Sequence, residues 1–186
     1  MSNQEERQLE TAIFAGGCFW CTEAVFQRLN GVEKVESGYT GGHIKNPAYR
    51  EICTGRTGHA EGIRIHFDPA QVSYTDLLEI FFATHDPTTL NRQGNDVGTQ
   101  YRSEIFYTNE EQKAQAEEFI DLLVKENIFS SPIVTAITEE KPFYVAEEEH
   151  QNYYNDHTNQ PYCQFIIDPK IKKLKTYYSK KLNTTK

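Results

Sequence analysis

The chain is expected to fold as α+β, with a mostly antiparallel sheet covered by helices. Three observations predict this. Strand-like and helix-like runs are mixed rather than strictly alternating, two strand-like runs (32–39 and 59–67) follow the first helix with no helix between them, and no repeat or low-complexity linker interrupts the 186 residues. That length suits a single domain, residues 1–186, with a substantial core.

Residues 11–15 read as a short buried strand that runs into Gly16-Gly17, and 18–29 as a helix stopped by Asn30-Gly31. Strand 32–39 closes on Thr40-Gly41-Gly42. The stretch 43–58 is punctuated by Gly, Pro and Asn and reads as loop, although it holds Tyr49, Cys53 and Thr57. Residues 59–67 alternate as a strand that Asp68-Pro69 ends, and Ser73-Tyr74-Thr75-Asp76 opens a helix through Phe82. A long polar loop, 86–100, precedes a strand at 101–107. A helix at 110–126, a strand at 133–138 and a helix at 146–155 complete the order.

Composition narrows the function. The formal charge is −8, yet the stretch 170–186 holds seven lysines and no acid, which leaves 12 basic against 27 acidic residues and a body near −15. Nucleic acid does not suit such a body. The lysine-rich stretch itself reads as a solvated, frayed tail. Residues 1–8 lack a basic segment followed by an apolar run, and no apolar stretch is long enough to cross a bilayer, so a cytoplasmic protein without membrane contact is expected. There, four cysteines point to working thiols or metal ligands rather than structural bridges.

The most telling of them are Cys18 and Cys21, in Gly16-Gly17-Cys18-Phe19-Trp20-Cys21. A helix N-terminus offers unpaired N–H groups and the positive end of a dipole, so it lowers a thiol's pKa and makes Cys18 a candidate nucleophile. Cys21, one turn on, lies close enough for a disulfide with modest adjustment. The plainer reading is that both are core residues on a stripe with Val25 and Leu29. Zinc is not expected, because Cys53 and Cys163 stand alone.

In His59-Ala60-Glu61-Gly62-Ile63-Arg64-Ile65-His66-Phe67, period two puts Glu61 on the face of Ile63, Ile65 and Phe67. If buried, Glu61 holds a proton near neutral pH and serves as an acid; if Gly62 bulges the strand, Glu61 escapes to solvent. Singly, Asp96 reads as a turn residue, Tyr49 and Tyr101 as packing rings, Phe19 and Trp20 as core, and His85 and His150 as local hydrogen-bonding groups.

Taken together these residues resemble a known family. Gly16-Gly17-Cys18-Phe19-Trp20, Gly38-Tyr39-Thr40-Gly41-Gly42, the run from Asn46 to Cys53, Thr57-Gly58-His59-Ala60-Glu61, His85-Asp86-Pro87 and the run from Arg92 to Ser103 are similar, in order, to the A-type peptide methionine sulfoxide reductases. The resemblance implies a modified split βαβ (ferredoxin-like) core and reduction of the S epimer of methionine sulfoxide, free or in proteins, to methionine. It assigns Cys18 as nucleophile and Glu61 as acid. Tyr49, Asp96 and Tyr101 become the other polar groups of the sulfoxide site, and Phe19 and Trp20 the wall for the substrate methyl. It implies no bound cofactor, thioredoxin as the reductant (dithiothreitol serving in vitro), and a monomer. Many relatives carry Gly where Cys21 stands and resolve with a cysteine in a Gly-rich tail that this chain lacks. The resolving thiol is therefore Cys21, by proximity, or Cys163, by family position and mobility, or both in relay. Cys53 reads as packing.

Two other readings compete. A thioredoxin-like disulfide oxidoreductase also carries CxxC after a strand and has no use for Glu61. A non-catalytic module would bind through the aromatic pocket and keep Cys21 and Cys163 for structure.

Overall fold

The computed structural model describes residues 8–182. The leader reading of the first seven residues and the last four residues of the lysine-rich stretch lie outside them. Six strands form one sheet: β1 (Glu10–Gly16), β2 (Val32–Thr40), β3 (Ala60–Phe67), then β6 (Ser103–Tyr107), β7 (Ala136–Glu139) and β8 (Phe143–Val145), in the order β7-β6-β1-β3-β2-β8. A separate two-stranded hairpin, β4 (Arg92–Gln93) and β5 (Asp96–Val97), forms inside the expected long loop. Every pairing in the large sheet is antiparallel except β6 with β7.

Helix α1 (Phe19–Phe26) joins β1 to β2, and β3 pairs antiparallel with both. The two strands of the βαβ unit are thus parallel to one another and split by β3, as expected. The other helices are α2 (Tyr49–Ile52), α3 (Tyr74–Thr84), α4 (Glu110–Lys125), α5 (Tyr153–Asp156) and α6 (Asp168–Tyr177). Ser73 caps α3 by accepting from Asp76 N–H at 3.0 Å while Asp76 accepts from Ser73 N–H, a reciprocal capping box.

Phe14, Ile63, Ile65 and Phe67 meet α1, α3 and α6 in the main core, where Phe14 stacks on Phe81 with centroids 4.7 Å apart. Because α1 lies against strands and other helices at once, seven of its eight residues are buried. The expected stripe of Cys18, Cys21, Val25 and Leu29 is therefore only part of its packed surface. The far face of the sheet holds a small cluster of Ile13, Ala15, Ala60 and Phe106 beside Glu36, which binds Arg64 at 3.1 Å and His66 at 2.7 Å.

The structure corrects several expectations. The expected loop at 43–58 contains α2, and the strand expected from 101 begins at Ser103 after a 3-10 turn, Thr99–Tyr101. The expected helix at 146–155 is broken into a 3-10 turn, Glu148–His150, and the short α5. Asn152 between them is left-handed (φ 58°), and Gln151 is extended, its side-chain amide accepting from Ser37 N–H and donating to Ser37 C=O.

Over its described residues, 170–182, the lysine-rich stretch does not fray. Its charges lie outward along α6 while Ile171 and Leu174 enter the core, and Lys181 binds Asp76 at 3.0 Å and Glu79 at 2.8 Å. A lysine-dense sequence thus hides an amphipathic helix, with apolar residues three apart. Leu174→Ala is expected to destabilise the protein by about 2–4 kcal/mol, because it opens a cavity at a fully buried site. Urea unfolding midpoints measure it; a loss under about 0.5 kcal/mol, the range of surface substitutions, would mean that α6 does not hold the core.

Candidate active site

The turn from β1 into α1 has no room for side chains. A Cβ on Gly16 would stand 2.8 Å from Phe81, and one on Gly17, whose φ is +96°, would stand 2.6 Å from Gln93 Cγ. The groups that approach the two glycines are the protein's own rings and Gln93, which is itself pinned through Asp86 N–H (3.0 Å) and Asp86 C=O (2.9 Å). Cys18 is the residue before the first turn of α1 and is 9% exposed.

Cys18 and Cys21 are joined by a side-chain hydrogen bond, and the Cys21 N–H donates to Cys18 C=O at 3.1 Å. Burial pushes the Cys18 thiol well above its ordinary value, and the Cys21 hydrogen bond and the Glu61 charge add to the rise; only the Trp20 N–H opposes it. The helix terminus acts in the expected direction, but it is outweighed by loss of water. Cys21 is the more acidic partner, lowered to about 7 by the hydrogen bond from Cys18, against burial, with help from Lys170 and Tyr162.

Glu61 is buried, 2% exposed, in regular register opposite Tyr39, so Gly62 does not bulge it out to water. Its Oε1 accepts from Phe19 N–H at 3.2 Å, which sets the carboxyl beside the start of α1. Burial raises its pKa to about 8, the Phe19 N–H pulling down and the charges on Asp96 and Cys21 adding to the rise. Near neutrality Glu61 carries a proton. Tyr49 and Tyr101 are half-buried phenols raised first by burial, and the Glu61 charge also acts on both. They stay protonated and able to donate.

Trp20 is the partly exposed aromatic of α1. Tyr153 stacks on it, nearly parallel, with centroids 3.7 Å apart, and its indole N–H donates to His150 Nδ1 at 3.2 Å. Phe19, expected to share this wall, is instead fully buried beneath Tyr39 and His150. His85 is local, as expected: its ring bonds Phe81 C=O and Ser103 Oγ, and burial lowers it to about 4.

A cleft of about 430 Å³ opens on the thiols, lined by Cys18, Cys21, Asp96, Tyr162, Phe165 and Lys170 among others. Glu61, Tyr49 and Tyr101 are not among its walls. Tyr162, Phe165 and Lys170 escaped the sequence reading. Tyr162 places its hydroxyl 3.7 Å from Cys21 Sγ and donates to Asp96 Oδ2 at 2.9 Å, so Asp96 is more than a turn residue. Lys170 comes from the stretch read as tail. The only hint of Tyr162 was its place beside Cys163.

The remaining cysteines also depart from expectation. Cys53 does not pack: it is exposed at the end of α2, bonded to Tyr49. Cys163 was expected to be mobile, but it is fully buried at the start of a π-helical turn, Cys163–Ile167, where Asp168 N–H donates to Cys163 C=O. All four cysteines are free thiols.

Residues 10–182, almost the whole chain, match the family model for peptide methionine sulfoxide reductase. The chain belongs to this family. Among reductases of this kind, it is 61% identical over 173 residues to peptide methionine sulfoxide reductase MsrA of Deinococcus radiodurans, covering 93% of this chain and 84% of that one. It is 54% identical over 186 residues to the MsrA of Ralstonia nicotianae, covering 97% of each. Among solved structures, the reduced form of Mxr1 from Saccharomyces cerevisiae superposes with a TM-score of 0.77 at 31% identity, over 88% of this chain and 95% of that one. Methionine sulfoxide reductase A of Corynebacterium diphtheriae gives a TM-score of 0.73 at 34% identity, over 83% and 77%. Membership of the reductase family sets aside the thioredoxin-like and binding-module readings. No helix among the described residues is long and apolar enough to cross a membrane.

Proposed function

We propose that the chain, acting as one catalytic domain, reduces the S epimer of methionine sulfoxide, free or in proteins, to methionine, with Cys18 as nucleophile and Glu61 as acid. The observation that carries this is a protonated, buried carboxyl fixed to the first N–H of the helix that bears a hydrogen-bonded thiol pair. A sulfoxide sulfur is a poor electrophile until its oxygen is protonated or strongly hydrogen-bonded. Glu61 gives the proton, Tyr49 and Tyr101 hold the oxygen, and Trp20 receives the methyl with Phe19 behind it.

Cys18 passes its proton to Cys21 and attacks the substrate sulfur. The attack forms a sulfur–sulfur bond; the oxygen, protonated by Glu61, then moves to the Cys18 sulfur as the sulfur–oxygen and sulfur–sulfur bonds to the substrate break, so that methionine leaves as the thioether and Cys18 is left as a sulfenic acid. Cys21 then displaces water from that sulfenic acid to form the Cys18–Cys21 disulfide. An external dithiol, thioredoxin, restores both thiols and is oxidised in turn. Asp96 and Tyr162 orient Cys21 from the cleft side. We assign resolution to Cys21 because it already bonds Cys18, whereas Cys163 has to leave a helical turn first. The reading includes a monomer working in the cytoplasm.

The test is turnover of separated R and S sulfoxides of a blocked methionine with dithiothreitol. Consumption of the S epimer alone is expected, and failure to reduce it would overturn the reading. Resolution is checked by mapping the disulfide after one turnover without reductant. Cys21→Ser is expected to release one equivalent of methionine and then stall with thioredoxin, while Cys163→Ser cycles normally. A Cys18–Cys163 bridge as the first product would reverse the assignment.

A further inference from the structure

The sulfoxide chemistry leaves one buried acid unused. Glu23, in the middle of α1, is 1% exposed, and burial raises it to about 7, with Asp156 of α5 adding to the rise. Its Oε2 accepts from Ser37 Oγ of β2 at 3.2 Å. The backbone N–H groups of Asn152 and Tyr153 also act on this carboxylate and oppose the rise, while its Oε1 has no hydrogen-bond partner. A carboxylate in the apolar body of a helix costs stability unless its contacts are needed.

Those contacts converge on one short segment. Gln151 fastens to Ser37, the residue that donates to Glu23, and Asn152 beside it is left-handed. On either side of this turn stand His150, which accepts from the Trp20 indole, and Tyr153, which stacks on its face. Trp20 itself lies three residues before Glu23 on α1. The carboxylate therefore reaches, through Ser37 and Gln151, toward the turn that carries the partners of Trp20.

We propose that Glu23 is a positioning residue: its carboxylate anchors the turn at 150–153 to α1 and β2, and so holds Tyr153 and His150 against Trp20. The proposal rests on the reading of Trp20 as the substrate wall, but its first readout does not. Trp20 is the only tryptophan in the chain, so its emission reports on this packing with no substrate present.

The experiment compares wild type, Glu23→Ala, Glu23→Gln and Tyr153→Leu. Glu23→Ala is expected to shift Trp20 emission to the red and to raise its quenching by acrylamide, as Tyr153→Leu does directly. For the blocked S sulfoxide, KM is expected to rise about tenfold with kcat changed less than about threefold, the pattern of lost ground-state placement. Glu23→Gln keeps an oxygen for the amides and is expected to restore both emission and KM. If Glu23→Ala does not fold, Glu23→Asp withdraws the carboxylate from the amides and takes its place. Trp20 emission and quenching unchanged in the truncated variant, or kcat falling with KM unchanged, would overturn the proposal. A wild type inactive on sulfoxide, with the emission shift intact, would overturn the functional reading and leave the anchor standing.

Discussion

Cys18→Ser is expected to abolish methionine formation even in a single turnover, while substrate still perturbs Trp20 emission. The outcome is not trivial, because Cys21 is the more acidic thiol of the pair and by acidity alone would be the better nucleophile at neutral pH. Geometry argues the other way. Cys18 is the residue joined directly to Phe19, whose N–H holds Glu61, and it is 9% exposed against 3% for Cys21. Attack must happen where the oxygen is protonated, so position outweighs acidity; the low pKa of Cys21 leaves part of it ionised near neutrality, where it can accept the Cys18 proton as that thiol attacks. Mass spectrometry of wild type after one turnover without reductant would show the disulfide, and of Cys18→Ser no change at all. One equivalent of methionine from Cys18→Ser would make Cys21 the nucleophile.

Glu61→Gln is expected to lower kcat/KM by roughly 10²–10⁴, the range of lost acid catalysis, and to make the protein harder to unfold at alkaline pH. The first effect is read from a pH profile. Wild-type kcat/KM falls as pH rises through about 8, where Glu61 loses its proton, and the variant shows no such limb.

The second follows from linkage. The carboxyl titrates near 4.5 when unfolded and about 8 when folded. Between these values the native state holds a proton that the unfolded state releases, so this group's contribution to stability declines across that window as pH rises. A buried amide does not titrate and can still accept the Phe19 N–H. The variant therefore gains on wild type from about pH 5 and levels off above about pH 8, by a few kcal/mol. Denaturant midpoints at pH 5 and pH 9 measure this gain. An unchanged rate at every pH would remove Glu61 as the acid, and no relative gain at pH 9 would mean that its carboxylate is not buried in solution.

What could be read from the sequence follows the physics of each signal. Glu61 was legible because period two in a strand is rigid: a carboxylate in step with Ile63, Ile65 and Phe67 has to share their face unless the strand breaks. Cys18 was legible because two glycines between a strand and a helix mark a close approach. Its acidity was not, since burial is set by residues far away in sequence and here overrides the helix terminus. The site's other wall was hidden for similar reasons. Lys170 sits in a region whose lysine density masks the apolar spacing of Ile171 and Leu174, and Tyr162 reaches Cys21 and Asp96 only through tertiary packing. α2 and the β4–β5 hairpin are too short to show a period. The break at Asn152 depends on Gln151 and Glu23 finding Ser37, a tertiary event with no local mark.

The π-helical turn at Cys163–Ile167 carries one residue more than an α-helical turn would need. Each residue of a helix advances about 100° around its axis. Removing any one of these five would rotate everything downstream by that angle relative to Tyr162, carrying Lys170 away from Cys21 and Leu174 out from under α3 in a single step. Chain length here acts as a phase setting: it synchronises the charge that tunes one thiol with the apolar face that closes the domain.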